Sequence, residues 1–237
     1  MPPKAALYEE KVLDPAPPEK GKLRADEANA AFFEVCAGKG IKVIDLGPAF
    51  QHARDGDPRP LYCRTDSHWS GRGCVAAAEL LSQDVRTRAW FGSVPKRAFK
   101  TDWREAEIRG DLADLVEPKA EPEKIRLRFV TDADGGAPVD WRESPIVLLG
   151  DSHTLVFHAG EDTHGSGAGL ADQLVLELGS PLDVVGVRGS GATPARINLL
   201  RRKDNLAGKK LVIWCFSARE FTEATGGWRL VPVIGKQ

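Results

Sequence analysis

The sequence predicts a single α/β domain, residues 1–237, in which a parallel β-sheet is covered by helices on both faces. Segments with helical and strand-like patterns alternate along most of the chain. The predicted strands are continuous apolar runs, which are typical of strands buried on both faces. A chain of 237 residues with 42% hydrophobic side chains is long enough to bury one substantial core.

The first helix and strand follow from spacing and from glycines. Apolar residues recur at helical spacing over residues 25–35, Gly38 and Gly40 end that helix, and Ile41–Leu46 is an apolar run that predicts a short strand. The same alternation predicts six later elements: a helix over 75–85, a strand over 145–149, a helix over 170–178, a strand over 182–187, a helix over 194–202 and a strand over 210–216.

Two segments depart from the alternation. Residues 1–22 contain five prolines, which disfavour helix and predict an extended lead-in on the domain surface. Residues 91–140 are rich in charge, proline and glycine, and we interpret them as an insertion or a lid.

Composition excludes several classes of partner. The chain has 33 basic and 34 acidic side chains, so no overall field attracts nucleic acid. No apolar run has the length of about 20 residues that a membrane span needs, and the first residues lack the apolar core of a signal peptide.

The four cysteines, at positions 36, 63, 74 and 215, lack the spacing of a metal site. Cys63 and Cys74 bracket a loop that a disulfide could close. Buried free thiols are an equally good interpretation.

A candidate nucleophile stands at the end of the strand predicted before residue 150. Ile146–Leu149 leads into Gly150, Asp151 and Ser152, so that a serine follows a glycine that permits a tight turn. In parallel sheets, ligands bind beyond the carboxyl ends of the strands. Because a serine hydroxyl is a poor nucleophile, it needs a base and a group that orients the base.

Asp66 and His68 offer such a pair. A carboxylate two residues before a histidine can hold the imidazole in one tautomer while the other ring nitrogen faces the serine. The alternative is that Asp66 caps the following helix and His68 lies on the surface. Contact between His68 and Ser152 depends on the fold.

Together, the Asp-Ser-His-Trp segment at 66–69 and the later Gly-Asp-Ser segment at 150–152 resemble the SGNH-hydrolase-like family of alginate O-acetylation proteins, the AlgX/AlgJ type and its uncharacterised relatives. In that family the histidine block precedes the serine block, as it does here. The resemblance covers most of residues 40–225. It implies an SGNH-hydrolase-like (flavodoxin-like) fold.

The resemblance also implies a function. It predicts a Ser152, His68 and Asp66 triad in a serine-dependent O-acetyltransferase or acetylesterase, which acts on an extracytoplasmic polysaccharide through an acetyl-serine intermediate. No cofactor and no metal are expected. The partners would be the acetylated or acceptor polysaccharide and an upstream membrane protein that donates acetyl groups. We expect a periplasmic location, with the export signal or membrane anchor outside this chain.

Further residues are candidates for binding. The turn with Gly189 and Gly191 could supply a second oxyanion donor beside the amide of Ser152, or could be a plain flexible loop. Side chains that could contact substrate are Tyr62 and Arg64, beside the Asp66/His68 pair, and Arg196 and Arg219, whose guanidinium groups suit the carboxylates of an acidic polysaccharide. Solvated surface charge is the alternative for Arg196 and Arg219, and a packing role is the alternative for Tyr62 and Arg64.

Two other functions compete with this one. A metal hydrolase is suggested by the crowding of His153, His158, Asp162 and His164, although their spacing matches no strong ligand motif. His153, directly after the serine, also departs from the family pattern and could compete as the base. The second competitor is a non-catalytic glycan-binding or assembly protein that keeps the fold.

Overall fold

The computed structural model describes residues 1–11, 27–138, 140–189, 192–224 and 226–235. Its helices and strands are, in chain order, α1 (Lys4–Leu7), α2 (Glu27–Gly38), α3 (Leu46–Gly56), α4 (Gly71–Arg86), β1 (Lys100–Ile108), β2 (Glu123–Thr131), β3 (Ile146–Gly150), α5 (Ser152–Leu155), α6 (Leu170–Leu178), β4 (Asp183–Gly186), α7 (Ala192–Arg201), β5 (Leu211–Cys215) and α8 (Glu220–Glu223). None of the described helices is long and apolar enough to cross a membrane.

A three-stranded parallel sheet with the order β4-β3-β5 forms the centre of the molecule. In its register, Gly150 at the end of β3 pairs with Gly186 of β4 and with Cys215 of β5. The carboxyl ends of the three strands therefore lie side by side. Ser152 follows the central strand at that edge.

Side chains of β3 alternate between two cores, because successive residues of a strand point to opposite faces. Ile146 and Leu148 belong to the larger core, which contains buried residues of α4 and α6. Val147 and Leu149 belong to a smaller core with Ala195 and Leu199 of α7. The predicted class, a parallel sheet with helices on both faces, is confirmed.

The segment predicted as an insertion contains an antiparallel hairpin of β1 and β2, separate from the central sheet. Most of β1 is exposed, whereas β2 turns Ile125 and Leu127 into the larger core. The hairpin packs closely on the start of α4, since a Cβ atom on Gly71 would lie 2.7 Å from the backbone oxygen of Arg126.

The predicted strand over residues 41–46 is wrong. Residues 41–45 have no regular structure, and Leu46 begins α3. The Asp45 side chain accepts a hydrogen bond of 2.8 Å from the Gly47 amide and so caps this helix. An aspartate just before an apolar residue, with Pro48 in the first turn, is a helix-start signal that outweighs a short apolar run.

Residues 1–11 also differ from the extended lead-in that the prolines predict. They contain α1 and a 3-10 turn over Glu9–Lys11, and Leu7 is buried in the larger core. The prolines at 15, 17 and 18 lie outside the described residues, whereas Pro2 and Pro3 precede α1, where they do not interrupt helical hydrogen bonds.

Candidate active site

Ser152 begins α5, directly after a tight turn that follows β3. A Cβ atom on Gly150 would lie 2.0 Å from Thr154 Oγ1 and 2.5 Å from the Cys215 carbonyl oxygen, so only glycine fits there. The Asp151 carboxylate accepts hydrogen bonds of 2.9 Å from the amides of His153 and Ser217. The carboxylate thus ties the serine turn to the segment that follows β5.

The loop with Asp66 and His68 is closed by backbone pairing and joined to the serine turn. Cys63 donates from its amide to the His68 carbonyl at 3.1 Å, and Tyr62 and Trp69 form an antiparallel bridge. The indole Nε1 of the buried Trp69 donates to the His153 carbonyl at 3.0 Å. These contacts bring His68 to a serine that is 84 residues away in the chain.

The three predicted site residues lie in hydrogen-bonding contact. His68 Nε2 is 2.8 Å from Ser152 Oγ, and His68 Nδ1 is 2.5 Å from Asp66 Oδ1. Because an ionised carboxylate only accepts hydrogen bonds, Nδ1 carries the proton of the neutral imidazole. Nε2 is then the acceptor for the Ser152 hydroxyl, as proton transfer from the serine requires.

Asp66 is ionised in spite of its burial. Burial by itself raises the pKa of this carboxyl, but hydrogen bonds from His164 and His68 outweigh it and hold the pKa below its usual range. His164 Nε2 lies 2.8 Å from Oδ2, and the Asp111 amide donates to the same oxygen at 3.2 Å. Sequence reasoning named His164 only as a metal ligand and missed this contact.

The segment between β1 and β2, together with the start of β2, supports the Asp66/His68 loop. The buried Glu123 carboxylate accepts hydrogen bonds from the amides of Arg64 and Thr65, at 2.8 and 2.7 Å, and from the Thr65 hydroxyl at 3.1 Å. A Cβ atom on Gly110 would lie 2.0 Å from the Thr65 carbonyl oxygen. Asp111 accepts from the amide and the hydroxyl of Ser67.

His153 lies beside His68 but is a poor candidate for the base. Its ring is buried, with the ring centroid 4.5 Å from that of His68. Burial lowers the pKa of His153 and outweighs the opposing effect of Asp151, so the ring is neutral at neutral pH. Neither of its ring nitrogens has a hydrogen-bond partner among the described residues.

Three of the four residues of the metal hypothesis have separate partners in the structure. Asp162 binds Arg188 at 2.8 Å, and His164 binds Asp66. His158 lies between Asp140 and Asp172, which overcome the effect of burial and raise the pKa of His158 to about 10. A protonated histidine cannot ligate a metal, so these residues form no common metal site.

Within the described ranges, one group of side chains has the spacing of a metal site, namely Asp66, His68 and Asp111. Their donor atoms are already engaged: Asp66 with His68 and His164, and Asp111 with Ser67. We assign no metal to this group, because ligation would need His68 to give up the hydrogen bonds described above.

The cysteines are free thiols. Cys63 and Cys74 are both buried and form no disulfide. Burial raises the pKa of both thiols well above the usual value, which makes them unreactive. The interpretation as buried free thiols therefore describes this structure.

An open cleft of about 480 Å³ surrounds the three site residues. Its lining combines acidic, basic and apolar groups: Asp66, Ser67, His68, Arg109, Asp111, Ser152, Val156, Asp162, Thr163, His164, Arg188, Gly189 and Arg219. Arg109 and Arg188 were not among the predicted binding residues.

Not every predicted binding residue reaches this cleft. Gly189 and Arg219 line it, and Gly191 lies outside the described residues. Tyr62 is buried, and its hydroxyl donates to the Pro2 carbonyl, so the prediction that it lines a groove is wrong.

Arg64 and Arg196 are absent from the lining of the cleft. Arg64 is exposed elsewhere. Arg196 stacks on Trp214 and Trp228 and bonds within α7, so its guanidinium is used in packing.

The parallel sheet, and a serine, histidine and aspartate in contact at its carboxyl edge, define the class of SGNH-hydrolase-like domains. Comparison with known proteins identifies the family within this class. Residues 1–218 match the family model described as SGNH hydrolase-like domain, acetyltransferase AlgX. The chain belongs to this family.

Individual relatives agree with this assignment. The chain is 27% identical over 164 residues to the probable alginate O-acetylase AlgJ of Pseudomonas fluorescens, an alignment that covers 65% of this chain and 40% of the relative. The chain thus spans less than half the length of that relative.

Two solved structures share the fold. The O-acetyltransferase domain of Pseudomonas putida AlgJ has a TM-score of 0.70 at 22% identity, over 94% of this chain and 74% of that one. Pseudomonas aeruginosa AlgX has a TM-score of 0.61 at 17% identity, over 83% of this chain and 44% of that one. Both matches confirm the SGNH-hydrolase-like fold.

The contacts of Glu123 generate a prediction about stability. Replacement of Glu123 by alanine leaves the amides of Arg64 and Thr65 and the Thr65 hydroxyl without an acceptor, so we expect the free energy of unfolding to fall by about 2–4 kcal/mol. Glu121→Ala, the same change at an exposed position two residues earlier, should alter it by less than about 0.5 kcal/mol. Urea denaturation of both variants measures the difference. Equal stabilities would show that Glu123 does not support the loop.

Proposed function

We propose that this protein is a serine-dependent O-acetyltransferase or acetylesterase that acts on a polysaccharide through an acetyl-serine intermediate. The proposal is carried by one observation: the Ser152 hydroxyl lies 2.8 Å from His68 Nε2, the nitrogen left as acceptor when Asp66 fixes the tautomer. A binding protein needs no such arrangement of nucleophile, base and orienting carboxylate.

In the first half-reaction, Ser152 Oγ attacks the carbonyl carbon of a donor acetyl ester and gives its proton to His68 Nε2. Asp66 stabilises the imidazolium that forms. The tetrahedral intermediate then collapses, its bond to the donor oxygen breaks, and that oxygen takes the proton from His68. Acetyl-Ser152 and a free hydroxyl on the donor remain.

In the second half-reaction, a hydroxyl of the acceptor attacks the acetyl-serine carbonyl and gives its proton to His68. The bond to Ser152 Oγ breaks, and the serine recovers the proton. With a sugar hydroxyl as acceptor the outcome is transfer, whereas with water it is hydrolysis. The residues of the site have the same roles in both reactions.

Backbone amides would stabilise the oxyanion in both steps. We propose the amide of Ser152 as one donor and the turn at Gly189 as the source of a second. Gly189 supports this assignment because it lines the cleft and has a φ of 85°, a backbone conformation that glycine adopts readily.

Arginines in the cleft favour an acidic polysaccharide as acceptor. Arg109, Arg188 and Arg219 all line the cleft that contains Ser152. Guanidinium groups bind carboxylates through paired hydrogen bonds, which suits uronic acid residues. The relative from P. fluorescens is a probable alginate O-acetylase, in line with this class of acceptor.

We propose that residues 1–237 form one SGNH-hydrolase-like domain with an insertion at 91–140, and that the protein works outside the cytoplasm. An upstream membrane protein would supply acetyl groups. No step above needs a cofactor or a nucleic acid.

The proposed serine chemistry predicts the effect of two substitutions. Ser152→Ala and His68→Ala should each lower the release of p-nitrophenol from p-nitrophenyl acetate by about 10³-fold or more, because either change removes the activated nucleophile. Ser93→Ala and His52→Ala make the same changes at exposed positions outside the cleft and should leave the rate unchanged. Activity that survives in Ser152→Ala would contradict the mechanism, and an inactive wild type would favour a non-catalytic glycan-binding or assembly protein.

The cleft arginines predict a change in specificity. Arg188→Ala combined with Arg109→Ala should raise KM for an acidic polysaccharide acceptor by about thirtyfold, since each lost carboxylate contact costs about 1 kcal/mol. The rate with p-nitrophenyl acetate, which has no carboxylate, should stay within about twofold. Arg201→Ala, on the exposed part of α7, is the control. An unchanged KM would reject an acidic acceptor bound by these side chains.

A further inference from the structure

His164 and the proposed general base, His68, bind the same carboxylate, that of Asp66. Its Nε2 lies 2.8 Å from Asp66 Oδ2, while His68 Nδ1 lies 2.5 Å from Oδ1. Each oxygen of one buried carboxylate thus accepts from a different imidazole. His164 also lines the cleft, but it reaches the serine only through Asp66 and His68.

The loop that presents His164 has a strained backbone. Phe157, Glu161 and His164 have φ values of 59°, 46° and 64°, which are unfavourable for residues with a Cβ atom. Hydrogen bonds hold the loop, from the Phe157 amide to the Thr163 carbonyl at 2.7 Å and from the Gly160 amide to the Gly165 carbonyl at 2.9 Å. Because strain of this kind clusters at functional sites, the loop supports a role for His164.

Carboxylates surround His164 and favour its charged form. Asp66, Asp111 and Asp162 each favour its protonated form, and Asp162 also binds Arg188. The hydrogen bond to Asp66 raises the pKa of His164 and outweighs the desolvation that would lower it. A group whose pKa is raised stays protonated to higher pH, so His164 keeps its positive charge to higher pH than an ordinary histidine does.

The groups around His68 differ in charge. His68 faces the Asp66 carboxylate and the neutral ring of His153, whose Nδ1 lies 3.3 Å from Asp151 Oδ1. The Asp111 amide, at 3.2 Å, can share in holding Asp66 Oδ2, but it carries no charge. Among these groups, only His164 supplies both a hydrogen bond to Asp66 and a positive charge on its far side.

We propose that His164 is a positioning residue for the acetyl chemistry: it orients Asp66 toward His68, and its charge disfavours a second positive charge in the site. The inference rests on the proposed function.

Kinetics of two His164 variants test this role. In His164→Ala, kcat for p-nitrophenyl acetate should fall about tenfold with KM within about twofold, since a lost orienting contact acts on the chemical step. His164→Gln keeps an N–H donor without the charge. It should restore kcat on the pH plateau to within about threefold, while the acid limb of kcat/KM moves up by about half to one pH unit.

Controls separate this inference from the function on which it rests. His52→Gln, at an exposed histidine of α3, should match the wild type in rate and pH profile. If Ser152→Ala is inactive but both His164 variants keep the wild-type kcat and acid limb, the positioning role is wrong and the proposed function stands. If Ser152→Ala is active, the proposed function itself fails. If His164→Ala does not fold, the acid limb of kcat/KM in His164→Gln alone decides whether His164 has the positioning role.

Discussion

The buried carboxylate of Asp66 accepts four hydrogen bonds from three separate parts of the chain. The amide and the ring Nδ1 of His68 bind one oxygen, and His164 Nε2 and the Asp111 amide bind the other. Because these donors favour the charged form, the carboxylate stays ionised although it is only 1% exposed. The charge fixes the tautomer of His68, and through it the direction of the hydrogen bond to Ser152.

The fold brings these parts together from opposite sides of the site. The central strand β3 places Ser152 at the carboxyl edge of the sheet, and the indole of Trp69 joins the Asp66/His68 loop to the serine turn. Residues 91–140, the segment interpreted as an insertion or a lid, contact the same loop through Glu123 and the close approach of Gly110 to Thr65. This segment thus helps to support the site, a role that its composition of charge, proline and glycine does not indicate.

Local sequence patterns predicted much of the site, but they did not predict the contacts between distant segments of the chain. The apolar run before Gly150 and the spacing of Asp66 and His68 are local, so both could be found in the sequence. The contributions of Glu123 and His164 depend on loops that meet only in the folded chain, and no periodicity marks them. The wrong strand at 41–46 has a local cause, since a short apolar run cannot by itself distinguish a strand from the approach to a helix.

Detection of an acetyl group on Ser152 is the most direct test of the central claim. The protein is mixed briefly with p-nitrophenyl acetate, quenched in acid and analysed by intact-protein mass spectrometry and peptide mapping. We predict one acetyl adduct on the peptide that contains Ser152, labile to hydroxylamine as an ester should be, and none on that peptide in Ser152→Ala. An adduct confined to other residues, or an active enzyme with no adduct under conditions that slow deacylation, would contradict the account.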